Sequence, residues 1–178
     1  LLPVHKMAAV DTKDGISEHL HGKSERTTDH SITALMLRSE EHVDLIRLRS
    51  LLDDLPLPFL ADKYGVTPLH RAAENNHAGV ISLLIEKGHP IDARDKYVET
   101  PLHRAAENNH MNAISLLIDK GHFIDAQDEL GNTPLHVAAE NGKEESVRLL
   151  LSLGANPLTQ NKDGNNPFDH IDDEHQTI

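Results

Sequence analysis

The chain has 178 residues, the length of one domain or of one domain with an appendage, and its formal net charge is −12 at neutral pH. It contains no cysteine, which excludes disulfides and thiolate catalysis. No run of about 18 apolar residues is present, so no transmembrane helix is predicted. The acidic balance makes nucleic acid and anionic membranes poor partners, because both are themselves negatively charged. With no secretory signal evident in the first ten residues, we expect an intracellular, cytoplasmic protein.

The first 61 residues divide into two parts. Residues 1–30 show no sustained helical or strand period, so they are predicted to form an irregular N-terminal arm, with a short helix over 16–20 as the alternative. Because the chain does not begin with Met, we expect it to be a fragment of a longer protein. Residues 31–61 regain a helical period, and a capped helix is predicted to open at Ser31. The apolar positions of a second helix follow at Val43, Ile46, Leu48, Leu51, Leu52 and Leu55.

A four-residue motif organises the rest of the chain. Thr67-Pro68-Leu69-His70 returns at Thr100-Pro101-Leu102-His103 and at Thr133-Pro134-Leu135-His136, 33 residues apart each time. A fixed period of this length indicates stacked supersecondary units. Threonine suits a helix N-cap and proline suits the first helical position, so each motif predicts a helix start. The units are 62–94, 95–127 and 128–160, and residues 161–178 form a partial fourth unit that ends in an acidic tail.

Each unit is predicted to run turn, helix, turn, helix. The first helix carries a small apolar face, Leu69, Ala72 and Ala73 in the first unit, and the second helix carries the stripe Val80, Ile81, Leu84 and Ile85. Residues that tolerate a left-handed backbone are predicted to end these helices. They are Asn76, Asn109 and Gly142 for the first helices, and Gly88, Gly121 and Gly154 for the second helices. The turn that opens each unit is predicted to bend at Gly65 and Gly131, and Val98 stands at the same place in the second unit.

These motifs resemble the ankyrin-repeat family over residues 62–164. The resemblance implies an all-α ankyrin-repeat solenoid, built from helix-turn-helix repeats with short β-hairpin-like fingers. Residues 31–61 then fit either a degenerate N-terminal capping repeat, because a shift of 33 places 57–62 over 90–95, or a helical hairpin docked on the solenoid. Both alternatives stay open. The charged residues of this segment that are expected to face water are Glu40, Glu41, Asp44, Arg47 and Arg49.

The resemblance also implies a binding surface, since ankyrin proteins are similar in using the finger tips and the exposed face of each first helix for protein partners. The corresponding positions here are Lys63, Tyr64, Val66, Arg71, Glu74, Asn75, Lys96, Tyr97, Glu99, Arg104, Glu107, Asn108, Glu129, Leu130, Asn132, Val137, Glu140 and Asn141. Tyr64 and Tyr97 are predicted either to be hot spots or to shield the finger backbone. Arg71 and Arg104 are predicted either to be hot spots or to pair with a glutamate one turn on.

Fourteen histidines suggest a metal site, but the repeat argues against one. His70, His103 and His136 form a ladder, and equivalent atoms of stacked helices lie about 8–10 Å apart. A zinc ion needs its nitrogen ligands about 2 Å away, so such a ladder cannot share an ion. His19 and His21 in the arm lack a third ligand. We therefore predict no metal and no cofactor, and the resemblance implies a structural role for the motif histidine.

No catalytic constellation is predicted. Ser82 and Ser115 have no histidine placed as a base by spacing, and the sequence contains no glycine-rich phosphate loop and no converging pair of carboxylates. The sequence predicts a non-catalytic protein–protein interaction module, a scaffold or adaptor, with another protein as its partner and with a monomer favoured. The alternative is a rigid structural or targeting domain of a larger protein, including a microbial effector aimed at host proteins, whose activity lies outside this chain.

The histidine count also predicts a response to pH. Full protonation adds fourteen charges and moves the formal charge from −12 to +2, around the pH of about 6.5 where unperturbed histidine titrates. Binding or solubility is therefore expected to change between about pH 7.5 and about pH 5.5.

Overall fold

The computed structural model describes residues 42–53 and 61–169, and within these residues it contains seven α-helices and no strand. They are α1 His42–Asp53, α2 Pro68–Glu74, α3 Ala78–Glu86, α4 Pro101–Glu107, α5 Met111–Asp119, α6 Pro134–Glu140 and α7 Glu144–Ser152. The short helices α2, α4 and α6 stack in one row, and α1, α3, α5 and α7 stack in a second row behind them. This arrangement confirms the all-α repeat solenoid. The predictions for residues 1–41, 54–60 and 170–178 lie outside the described residues.

The helix pairs α2–α3, α4–α5 and α6–α7 are called here the first, second and third repeats. Each repeat begins as the motif predicts, with an extended threonine as N-cap and proline at the start of the helix. The histidine three residues after the threonine completes the cap, because its Nδ1 accepts the threonine backbone N–H at 3.2, 3.1 and 3.1 Å. Each motif therefore caps its own helix.

The predicted helix ends are also confirmed. Asn76, Asn109 and Gly142 follow the first helices with φ of 58°, 60° and 63°, a left-handed backbone that asparagine and glycine tolerate. The two asparagines have a further role that the sequence did not indicate. The Oδ1 of Asn76 accepts the backbone N–H of Ala113, and the Oδ1 of Asn109 accepts both the N–H and the hydroxyl of Ser146. Each asparagine thus joins its repeat to the second helix of the next one.

The core runs along the solenoid between the two rows of helices. Leu69, Ala72 and Ala73 are completely buried, and Ile81 and Leu84 cover them from α3. The equivalent positions of the first helices are buried in the later repeats, where the small alanines let adjacent first helices approach closely. Each repeat therefore buries the apolar face of its neighbour.

The apolar stripe predicted for α1 is correct only in part. Leu48 and Leu52 are buried against the core, and Leu45 packs beside them. The prediction for Ile46 is wrong, because 62% of this residue is exposed to solvent. Position 46 lies two residues from Leu48, which on a helix of 3.6 residues per turn is about 200° around the axis. The face that α1 presents to α3 is thus narrower than the sequence suggested.

The fingers are turns that side-chain hydrogen bonds stabilise internally and that backbone hydrogen bonds join to one another. The Oδ1 of Asp95 accepts the N–H groups of Tyr97 and Glu99, and the Oδ1 atoms of Asp62, Asp128 and Asn161 accept the equivalent N–H groups of their own fingers. Each finger then donates one N–H to the carbonyl of the preceding finger, as in the bond from Lys96 to Tyr64 at 2.9 Å. The same bond joins Glu129 to Tyr97 at 3.0 Å and Lys162 to Leu130 at 2.9 Å. The finger tips are therefore held in a fixed row.

Candidate binding surface

The finger tips present a row of large side chains to solvent. Tyr64, Tyr97 and Leu130 are 43%, 47% and 57% exposed at equivalent positions of three consecutive fingers. The Nζ of Lys96 lies 4.2 Å from the centre of the Tyr64 ring and 4.7 Å from that of Tyr97, and Lys63 lies 4.9 Å from Tyr64. These are cation–π distances, so the ammonium group of Lys96 bridges the two rings and restrains them.

Behind the tips, the first helices carry arginines that contact acidic residues. Arg71 contacts Asp62 at 3.4 Å and Glu74 at 3.1 Å, and its side chain is 45% exposed. Arg104 is only 23% exposed, and it contacts Asp95 at 2.9 Å and Glu99 at 2.6 Å. The predicted contacts one turn along the helix are both present, since Arg104 also lies 3.7 Å from Glu107. In the third repeat the equivalent residue is Val137, so the ion pair is absent there.

The carboxylates around Arg104 lie in a less polar setting than those around Arg71. The side chain of Asp95 has no exposed area, while that of Asp62 is 31% exposed. Burial raises the pKa of Glu99, and the nearby guanidinium of Arg104 opposes that shift by favouring the charged carboxylate. Arg104 is therefore a structural cation as well as a candidate contact.

The asparagines at the ends of the first helices are also used within the fold. The side-chain amides of Asn75, Asn108 and Asn141 donate to the carbonyl four residues earlier, at 2.8, 2.9 and 2.8 Å. These bonds satisfy carbonyls that a helix end leaves without a partner. The three asparagines are nevertheless exposed to solvent.

All eighteen predicted positions lie on the fingers or along the first helices, and none of them is buried. The exposed positions are Lys63, Tyr64, Arg71, Asn75, Lys96, Tyr97, Asn108, Glu129, Leu130, Glu140 and Asn141. The half-buried positions are Val66, Glu74, Glu99, Arg104, Glu107, Asn132 and Val137. Two of the half-buried residues link their finger to the preceding repeat. The carbonyl of Glu99 accepts the Nε2–H of His70, and that of Asn132 accepts the Nε2–H of His103, both at 3.0 Å.

A groove of about 690 Å³ opens at the end of this surface, beside the third repeat. Three of the predicted positions, Leu130, Asn132 and Glu140, line it together with Lys143 and Val147. The lining of the groove mixes apolar residues, such as Leu130, Val147 and Pro167, with charged ones, such as Glu140 and Lys143. The sequence did not indicate it, since its walls come from a finger, two helices and the following turn.

The motif histidines bond between turns, as the family resemblance implied. The Nε2–H of His70, His103 and His136 donates to a carbonyl of the next finger at 3.0, 3.0 and 3.1 Å, and Nδ1 accepts from the capping threonine. Both ring nitrogens are thus used in the neutral form. Burial lowers the pKa of His70, and it lowers the pKa of His103 to about 4. Across residues 42–53 and 61–169, no group of three or more potential metal ligands is found.

The family model described as ankyrin repeats (three copies) matches residues 5–95 and 89–161. These matches cover most of the chain, and the fold agrees with them, so the chain belongs to the ankyrin-repeat family. A search of curated proteins gave no match. Ankyrin repeats are in general protein–protein interaction modules, and such domains are typically non-catalytic. In the part of the chain that the structure describes, every helix is too short or too polar to cross a membrane.

Proposed function

We propose that this chain is a non-catalytic protein-binding module whose protein partner contacts the finger tips and the inner face of the first helices. The observation that carries the proposal is the row formed by Tyr64, Tyr97 and Leu130. These residues are large and exposed, and backbone bonds between successive fingers hold them in register. A surface that is already ordered loses little conformational entropy when it binds, which favours affinity.

The composition of the row supports a protein rather than a nucleic acid as the partner. Tyrosine is among the residue types that most often dominate interface energetics. The described repeats carry more acidic than basic residues, and both arginines of the first helices already contact carboxylates. Phosphate groups would therefore meet few unpaired cations outside Lys63 and Lys96 on this surface.

The proposal is tested by affinity capture from cytosolic extract on the immobilised chain and on its Tyr64→Ala, Tyr97→Ala variant, with mass spectrometry of the retained proteins. We expect at least one protein to be retained by the parent chain and lost by the variant. A matched control is the Phe123→Ala, Leu158→Ala variant, because it removes two apolar side chains that are more exposed than the tyrosines but lie outside the fingers. This control is expected to retain the partner.

The outcomes separate the proposal from its alternatives. Loss of the partner in the control but not in the tyrosine variant would place the site on the outer turns instead. Specific capture by none of the three chains would favour the rigid structural or targeting domain, which is expected to be indifferent to changes on this face. Circular dichroism of each variant checks that the repeats stay folded, which we expect because all four residues are exposed.

A further inference from the structure

Two buried histidines lie outside the helix-capping motif. His89 and His122 follow Gly88 and Gly121, and Ala155 occupies the equivalent position of the third repeat. Both histidines are almost completely buried, with 3% and 4% of their surface exposed. The first two repeats therefore hold an imidazole where the third repeat holds a methyl group.

These imidazoles are poorly satisfied. Among the residues that the structure describes, neither ring nitrogen of His89 has a hydrogen-bond partner, and the carbonyl of Pro90 lies near the ring without bonding geometry. In His122 the Nδ1–H donates to the carbonyl of Phe123 at 2.9 Å, and Nε2 has no partner within residues 42–53 and 61–169. A buried polar group without its hydrogen bonds destabilises the fold, and a buried charge in the same place would destabilise it more.

Each of these residues lies within electrostatic reach of the motif histidine of its own repeat. The pairs are His70 with His89, and His103 with His122, and a charge on one member disfavours a charge on the other. Burial is the largest influence on all four rings and lowers the pKa of each. In the third repeat His136 has no such neighbour, because Ala155 stands in its place.

The other charged groups that act on these four rings do not compensate for burial. Asp92 favours a charged His122 and Arg94 opposes it. His103 is influenced favourably by Asp128 and unfavourably by Arg94. At His70, Asp95 favours a charged ring and Arg104 opposes it. For His89, the pairing with His70 disfavours the charge, and the carbonyl of Pro90 favours it.

We propose that the two buried histidine pairs make the first and second repeats open on acidification while the third repeat stays folded. A proton added to any of the three motif histidines would point its Nδ1–H at the threonine N–H that now donates to it, so the difference between the repeats comes from the second histidine, which only the first two repeats have. A proton added to His89 or His122 would place a charge in a buried site where no carboxylate of residues 42–53 or 61–169 forms an ion pair with it. Stability in repeat proteins is local, so one part of the solenoid can open before another.

The test is hydrogen–deuterium exchange at about pH 7.5 and about pH 5, corrected for the intrinsic pH dependence of exchange, on the parent chain and on His89→Ala, His122→Ala. In the parent, we expect acidification to lower the protection of α2 to α5 at least about tenfold more than that of α6 and α7. In the variant, this difference between repeats is expected to be at least about threefold smaller than in the parent, and the part that remains is the contribution of His70 and His103. Ala155 shows that alanine suits this position of the repeat.

A matched control is His77→Ala, which removes one half-buried histidine outside the pairs and is expected to behave as the parent. Equal loss of protection in all repeats of the parent, or an unchanged difference in the double variant, would overturn the proposal. If the alanine variant fails to fold at about pH 7.5, His89→Gln, His122→Gln keeps more of the side-chain volume and removes the titration. The parent chain alone still decides whether the loss is confined to the first two repeats.

Discussion

Gly65 and Val98 occupy the same place in consecutive fingers, and both have a positive φ, of 76° and 64°. Glycine adopts this conformation freely, whereas a β-branched residue is rarely found there. The second finger keeps the geometry of the first because its aspartate and its bonds to the neighbouring fingers are the same. Val98 is therefore held in a strained conformation by its surroundings.

Val98→Gly is expected to raise the free energy of unfolding by about 0.5–1 kcal/mol. Relief of the left-handed conformation stabilises the folded state by about 1–2 kcal/mol. The greater backbone entropy of glycine in the unfolded chain offsets about half of that. Urea denaturation of the parent and the variant measures the difference. Val66→Gly is the control, because Val66 has no positive φ, and it should lower stability. A loss of stability in Val98→Gly would show that its side-chain contacts outweigh the strain.

Arg104→Ala is expected to lower the free energy of unfolding by about 2–3 kcal/mol, because it leaves the buried carboxylate of Asp95 without its cation. Arg71→Ala, at the equivalent position of the first repeat, should cost less than about 1 kcal/mol, since its ion pairs are exposed to solvent. Both values come from urea denaturation at the same ionic strength. Equal losses of unfolding free energy in the two variants would contradict the view that the burial of Asp95 makes the Arg104 ion pair more important. Binding studies should accordingly use Arg71 as the cleaner probe.

His103 is expected to make folding sensitive to acid. Its pKa is about 4 in the folded chain and about 6.5 when unfolded, so the unfolded state takes up the proton first as the pH falls. The stability is therefore complete above about pH 6.5 and declines as the pH falls toward 4, by about 3 kcal/mol from this residue alone.

The measurement is urea denaturation of the parent and of His103→Gln at several pH values between about 7.5 and 4. Glutamine can donate one hydrogen bond but does not titrate. The variant should be less stable at neutral pH and should show a shallower decline on acidification. Parallel curves for the two proteins would show that His103 does not carry this pH dependence.

Asn109→Gly is expected to lower the free energy of unfolding by about 1–2 kcal/mol, although glycine suits the φ of 60° better than asparagine. The substitution removes two bonds to Ser146, whose side chain is buried. Asn76→Gly removes one such bond, to Ala113, and should cost less. Thermal denaturation of both variants compares them. Stabilisation by Asn109→Gly would mean that backbone conformation outweighs the link between repeats.

Most of the fold could be predicted from the sequence, because its signals are local. The threonine and proline of each motif fix a helix start, and asparagine or glycine fixes its end, through contacts within a few residues. The position of the predicted binding face also follows from the period, since equivalent residues of stacked repeats line up. The exposure of Tyr64 and Tyr97 agrees with their prediction as finger-tip residues.

The state of individual side chains could be decided only by the tertiary structure. Arg71 and Arg104 lie in identical heptapeptide helices, yet the second is more buried, and it contacts Glu99 at 2.6 Å where the finger of the first repeat has Val66. Ile46 fits the apolar pattern of α1 but faces solvent.

The sequence by itself thus determined the repeat, the ends of its helices and the row of finger tips, because each depends on residues close together in the chain. Only the tertiary structure decided which polar groups are buried, as for His89, and which asparagines bridge to the next repeat, as for Asn109. The physical reason is that burial and hydrogen bonding are set by residues about one repeat away, 33 to 37 positions along the chain.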